Sequence, residues 1–285
     1  MFQGRLRPLR TPMLIGLGVK AAGCAARYWV AFDAYGGSTD AQRYHQFAKD
    51  AAASFWHGTA SITSVLPLGT GTKFIEQSTA FLYTFLGSSR LAGFLIFGWL
   101  AWVGVAFFVK AAVIGIPMVR RLRYAWLVML WPGVVYWPAS IGKEAIATLL
   151  LGVGSYGLAL LLQRHGFWRP LSITAIALTG AGLIRAHLAL FWLLGLVPAL
   201  LVSLLRGADA LGRARRGAGR NTATALVIVV AAVAVWSVGQ TAIDAIRPTD
   251  EQTAFTTSIA EVLRETTRRS DQGGSNFVPP SIDGP

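Results

Sequence analysis

Hydrophobic positions along this chain gather in long, nearly unbroken runs. They do not show the two-residue alternation of half-buried strands. Runs near 12–32, 91–110, 122–141, 145–163, 170–184, 188–205 and 222–242 each read as a helix. Most reach the roughly 17–25 residues that cross a bilayer. In lipid the backbone finds no outside hydrogen-bond partner, so spanning segments are helices unless a barrel closes. Repeated ten-residue alternation, the mark of an outer-membrane barrel, is missing from the sequence. The pattern predicts an all-α fold: a polytopic transmembrane helix bundle of about seven spans over 1–242, then a separate segment, 243–285.

Polar stretches punctuate the runs. Residues 33–76 form an outer loop in which Ser38 and Thr39 are placed to cap a helix beginning near Asp40. Phe47, Ala51, Phe55 and Trp56 give that helix an apolar side, expected to lie on the membrane surface or against the bundle. The next stretch, 77–89, is too short to span and reads as a re-entrant or interfacial helix. Pro132 and Pro138 are expected to kink or end the third span. The first run carries Lys20 and Arg27 and no convincing cleavage site, so it reads as a retained signal anchor whose two charges snorkel or face the bundle. The last segment opens with a soluble-looking helix, TDEQTAFTTSIAEVLRETTRR, and closes in loop chemistry, DQGGSNFVPPSIDGP. A chain that stops there reads as a fragment of a longer protein.

Charge then orients the bundle. With the N-terminus in the cytoplasm, the short segments 1–11, 110–123, 164–169 and 206–220 hold 14 of the 26 Lys and Arg residues. That is the asymmetry expected of cytoplasmic loops, and it puts the C-terminus outside. Every acidic residue except Asp209 falls on the outer side. The net charge of +13 is therefore read as topology signal and anionic-lipid contact, not as a nucleic-acid groove. Only 14% of residues are charged and 54% are hydrophobic, against about a quarter charged in soluble domains. The single cysteine, Cys24, reads as a small buried residue. No P-loop or Rossmann fingerprint is present, which argues against a cytosolic nucleotide-sugar enzyme.

Three clusters interrupt the apolar pattern, and the topology brings all three to the outer face. Lys143 and Glu144 lie between the third and fourth spans. Arg185 and His187 break the 170–205 run at LIRAHLAL. Asp33, Asp40, Tyr44 and His45 lie in the outer loop. A charge at the membrane interface needs a partner or a wet cavity. Arginine offers a planar fork for phosphate and lysine a compact charge, so Lys143 and Arg185 can hold the phosphate of a lipid-linked substrate. Asp40 and Tyr44, four residues apart, share a helix face. Asp40, or Asp33 nearer the span, can serve as general base for an acceptor hydroxyl. Glu144 suits a helix start. His45 and His187 can shuttle protons or bind a metal, but their spacing defines no metal site, and a divalent metal cofactor stays open.

The stretch FDAYGGSTDAQRYHQFA at 32–48, with its D…Y…A pattern, resembles the acidic outer loop of polytopic glycosyltransferases of the GT-C type. The core YWPASIGKEAIATLLLGVGSYGLALL, followed by LIRAHLAL, is similar to bacterial membrane proteins of cell-surface polysaccharide synthesis. The resemblance covers most of residues 30–205. It implies a protein of the bacterial inner membrane that takes a polyprenyl-phosphate-linked sugar as donor and a glycan as acceptor, with Asp33 or Asp40 as catalytic base. The chain has fewer spans than GT-C enzymes generally do and no large soluble outer domain. Two other functions fit the same residues. A polysaccharide polymerase or ligase would rely on Arg185 and His187, and a non-catalytic membrane subunit or transporter component would use Lys20 and Arg27 as a pathway or partner contact.

Overall fold

The computed structural model describes residues 7–195 apart from 68, 117, 164, 165, 186, 190 and 193. The expected span at 222–242, the basic loop at 206–220, most of the 188–205 span and the 243–285 segment lie outside these residues. Every regular element among the described residues is helical. Eight α-helices follow in order: α1 Arg10–Trp29, α2 Asp40–Trp56, α3 Gly71–Leu86, α4 Arg90–Gly115, α5 Arg121–Leu130, α6 Pro132–Tyr136, α7 Lys143–Leu162 and α8 Trp168–Ile184. Two of them, α4 and α7, are long and apolar enough to cross a membrane.

The expected spans at 91–110, 145–163 and 170–184 correspond to α4, α7 and α8. The first run ends as α1, with one π-helical turn, Val30–Ala34, behind it. The expected 122–141 span is broken into α5 and α6. Pro132 lacks an N–H and stands at the first position of α6, where none is needed. Pro138 ends α6, leaving a turn at 137–142. That ending frees two carbonyls. The residue at 138 has no N–H for Val134, and the N–H of Ala139 bonds Tyr136 instead, at 3.2 Å. Lys20 supplies the missing donor. Its ammonium bonds the Val134 and Val135 carbonyls at 2.8 and 3.0 Å, and the residue is only 4% exposed.

Glycine contacts fix how the long helices lie. The backbones of α4 and α7 touch where Gly104 meets Thr148, Leu149 and Gly152. Gly93 lies beside Ile141, the Phe107 and Tyr156 rings meet at 5.2 Å, and Gly115 approaches Ala159. Positions rise together, so α4 and α7 run parallel. Along α8 the order reverses: Gly180 meets Leu150, Gly154 meets Ala177 and Gly157 meets Thr174. Along α1, Gly16 packs on Met129 and Gly23 on Val135, while Cys24 sits against Gly98 and Met13 accepts from Trp102. Thus α1, α5–α6 and α8 run one way, and α4 and α7 the other. Small residues let the backbones approach where oily side chains would hold them apart.

The outer-loop helix begins at Asp40 as expected, and two of the four residues on its expected apolar side, Ala51 and Phe55, pack against the core. Ala41, Tyr44, His45, Ala48 and Ala52 face inward, whereas Phe47 and Trp56 are exposed. The alanine stripe permits close approach to α3, and the larger rings are left at the rim. Thr39 occupies the N-cap position without a side-chain capping bond. The helix expected at 77–89 starts earlier, at Gly71, and buries Glu76 and Gln77. Arg43 pairs with Glu76 at 3.3 Å, and the Trp56 indole donates to the Thr84 carbonyl at 3.0 Å. These two ties join α2 and α3 into a hairpin.

At Gly104 a methyl group would strike the α7 backbone, whereas at Gly18 it would meet nothing within 4 Å. Gly104→Ala should therefore cost about 1–3 kcal/mol through overpacking. Gly18→Ala should be neutral or add up to about 1 kcal/mol of helix propensity. Thermal unfolding of the two variants in one detergent measures the contrast; equal melting would mean that the backbones of α4 and α7 do not touch.

Candidate functional site

Helix ends converge on one cavity of about 640 Å³. The end of α1 and its π-helical turn contribute Arg27, Val30 and Ala31, and the start of α2 contributes Asp40 and Tyr44. The start of α4 contributes Phe94. The turn after α6 and the start of α7 supply Trp137, Lys143 and Glu144, and Arg185 comes from the end of α8. The antiparallel order explains the gathering: α1, α6 and α8 finish at this end of the bundle, and α4 and α7 begin there.

Five of the eight residues singled out from the sequence line this cavity: Asp40, Tyr44, Lys143, Glu144 and Arg185. Three do not. Asp33 is exposed on the π-helical turn outside the lining. His45 is buried between α2 and α3, its Nδ1 at 2.8 Å from the Tyr83 hydroxyl, with the two rings edge to face. The Tyr83 hydroxyl also lies 3.3 Å from the Ser89 carbonyl. His187 is exposed beside Phe191.

The charges pair differently from the arrangement the sequence suggested. Arg185 and Lys143 line the same cavity, but each has its own partner. Arg185 Nη2 donates to Glu144 Oε1 at 2.6 Å, so Glu144 does more than begin α7. Lys143 Nζ donates to Thr72 Oγ1 at 2.9 Å, which ties the start of α7 to the start of α3. Tyr44 is 3% exposed, and its phenol is pushed up to about 12. Burial is the main cause, and the Asp40 and Glu144 carboxylates add to it against the opposing effects of Thr72 and Arg43. Tyr44 therefore stays a neutral hydrogen-bonding group at any physiological pH.

Arg27 is the site residue that the sequence reading left out. Its guanidinium lies 5.0 Å from the ring centroids of both Tyr136 and Trp137. The available signal was its spacing from Lys20. Seven residues separate them, two helical turns, so both point at the α5–α6 side of α1. Among the described residues no three His, Cys, Asp or Glu side chains are grouped as a metal site would need. Compared with protein-family models, curated proteins and solved structures, the chain matches none.

His45 carries a pH dependence. Burial, then the nearby Arg90 and Lys49, hold its pKa below the usual 6.5, against the weaker pull of Asp50. The neutral ring is the folded form, so its contribution is complete above pH 6.5 and is lost as pH falls through the depressed value. Melting temperature should fall from pH 7.5 to pH 5, and His45→Gln should flatten part of that fall. An identical pH profile in the variant would show that His45 does not titrate between α2 and α3.

Proposed function

We propose that this chain is a bacterial inner-membrane protein with about seven spans, its N-terminus cytoplasmic and its C-terminus outside. In this reading it transfers a sugar from a polyprenyl-phosphate-linked donor to a glycan acceptor at the outer face. The observation that carries the reading is the cavity itself. A carboxylate, Asp40, and cations from three separate helices line one space at one end of the bundle. Further support comes from charge. Arg10, Arg121, Arg123 and Arg169 stand at the starts of α1, α5 and α8, the end of the bundle away from the cavity. In this reading that end, with the short basic loops of the sequence, is cytoplasmic by the positive-inside rule and the cavity faces outward. Large apolar side chains such as Leu14, Leu95, Trp99, Leu127 and Ile176 are exposed on the outside of the bundle, as lipid contact requires.

The chemistry follows from these groups. Asp40 is exposed to the cavity mouth and takes the proton of an acceptor hydroxyl as its oxygen attacks the anomeric carbon. The bond from that carbon to the donor's phosphate oxygen breaks, and the electron pair leaves with the phosphate. Arg27 and Lys143, the lining cations without a carboxylate partner among the described residues, stabilise the departing phosphate. Asp33, outside the lining, has no part in this scheme.

Asp40→Asn keeps the shape and removes the base. In proteoliposomes with a polyprenyl-phosphate sugar and acceptor glycan, its transfer rate should fall at least about 100-fold, the usual worth of a general base, with insertion unchanged. Full activity in Asp40→Asn would remove the base from this site. Sensitivity confined to Arg185 and His187 would favour a polymerase or ligase chemistry instead. Absence of turnover in the unsubstituted protein, together with a stoichiometric protein partner, would favour a non-catalytic subunit.

A further inference from the structure

We propose that Arg27 and Lys143 form the phosphate-binding subsite of the cavity, and that Arg185 does not. The ligand class is a phosphate ester presented at the membrane surface. The inference deepens the proposed function by assigning its anion site, and it rests on that reading only for the lipid character of the ligand.

Arginine has five N–H donors in a planar fork and no acceptor. For Arg27 the described residues provide one hydrogen bond, a long 3.4 Å contact from Nη1 to the Tyr136 hydroxyl. What holds the group is the pair of ring contacts, at 5.0 Å from Tyr136 and from Trp137. Cation–π attraction stabilises the charge through the ring faces and leaves most N–H edges open to an acceptor. No carboxylate lies within ion-pair distance of Arg27 among the described residues, although Asp40 lines the same cavity. Lys143 is in a similar state. Thr72 occupies one of its three donors, and its charge has no carboxylate partner among the described residues.

Arg185 differs in kind. Its bond to Glu144 is short and charge-assisted, so together they present a nearly neutral wall. An anion reaching Arg185 would have to displace Glu144 and leave that carboxylate unpaired beside the incoming phosphate. Arg27 and Lys143 carry no such penalty, and they approach the cavity from different elements, the end of α1 and the start of α7. Both cations line the same cavity, which is the placement that phosphate binding by the two together requires.

The test uses the full chain in phosphatidylcholine nanodiscs, with farnesyl phosphate as probe and binding read by native mass spectrometry. Arg27→Gln and Lys143→Gln should each weaken binding roughly tenfold or more, the loss of one charge-assisted contact. Arg27→Lys keeps the charge but loses the fork, so its binding should also fall while its melting temperature holds. This separates ligand contact from folding. Glu144→Gln releases Arg185 and should tighten binding. The double variant Glu144→Gln/Arg185→Gln removes the neutral pair and should stay within roughly threefold of the unsubstituted protein. Farnesol should not compete. Competition by phosphatidylglycerol as strong as by farnesyl phosphate would identify a phospholipid headgroup as source, and competition by inorganic phosphate alone a free anion, with Arg27 required in each case. Unchanged binding in both Arg27 variants, or a loss in the double variant as large as in Arg27→Gln, would overturn the assignment. Binding that follows Arg27 without any sugar transfer would instead sink the proposed reaction and leave the subsite standing.

Discussion

The contact between α4 and α7 at Gly104 and Gly152 is the constraint on which the other packing rests. With the two backbones this close, the helices have little freedom to slide or rotate against each other. Their parallel course brings the starts of both to the same end, so Phe94 and Lys143 are neighbours of one space although 49 positions apart in sequence. The antiparallel neighbours then bring their own ends there, Arg27 from α1 and Arg185 from α8. The cavity is thus a product of helix direction, and no single segment encodes it.

Three charged or ionisable groups within the apolar bundle are each answered by a specific partner, whereas the buried Thr174 hydroxyl of α8 has none among the described residues. Lys20 meets carbonyls that a proline has released, His45 meets a tyrosine, and Glu144 meets an arginine. Unanswered polar groups in such surroundings cost several times what a surface group costs. Lys20 is accordingly explained by the architecture and needs no transport pathway. Arg27 stands apart from this pattern, since rings satisfy its charge while its donors remain open.

Much of the helical layout was legible because long apolar runs without two-residue alternation read as helices. The starts of α2, α4 and α7 and the limits of α8 follow directly from the run boundaries, and the break in the 122–141 run follows from two prolines. The convergence of Asp40, Tyr44, Lys143, Glu144 and Arg185 was also accessible, because alternating direction determines which turns share an end. Pairing was not legible. Whether Arg185 turns to Lys143 or Glu144 depends on rotation about helix axes, which periodicity does not fix when a helix is apolar on all sides. The buried side of α2 was legible only in part: Ala51 and Phe55 pack against the core, yet alanines and Tyr44 make the fully buried contact. His45 and His187 were grouped with the site by position in sequence, but one faces α3 and the other faces away.

The bond between Lys20 and the end of α6 links two positions that share no sequence neighbourhood. Pro138 creates the demand and Lys20 meets it. A variant that replaced Lys20 with an apolar residue would strand the Val134 and Val135 carbonyls, and an N–H at residue 138 would answer only the first. A change of Pro138 alone would leave an ammonium competing for a carbonyl already occupied. The bend after α6 is thus held from α1, by a lysine 114 positions from Val134 along the chain, so a change in the first helix would be felt as a loosening of the last turn before α7.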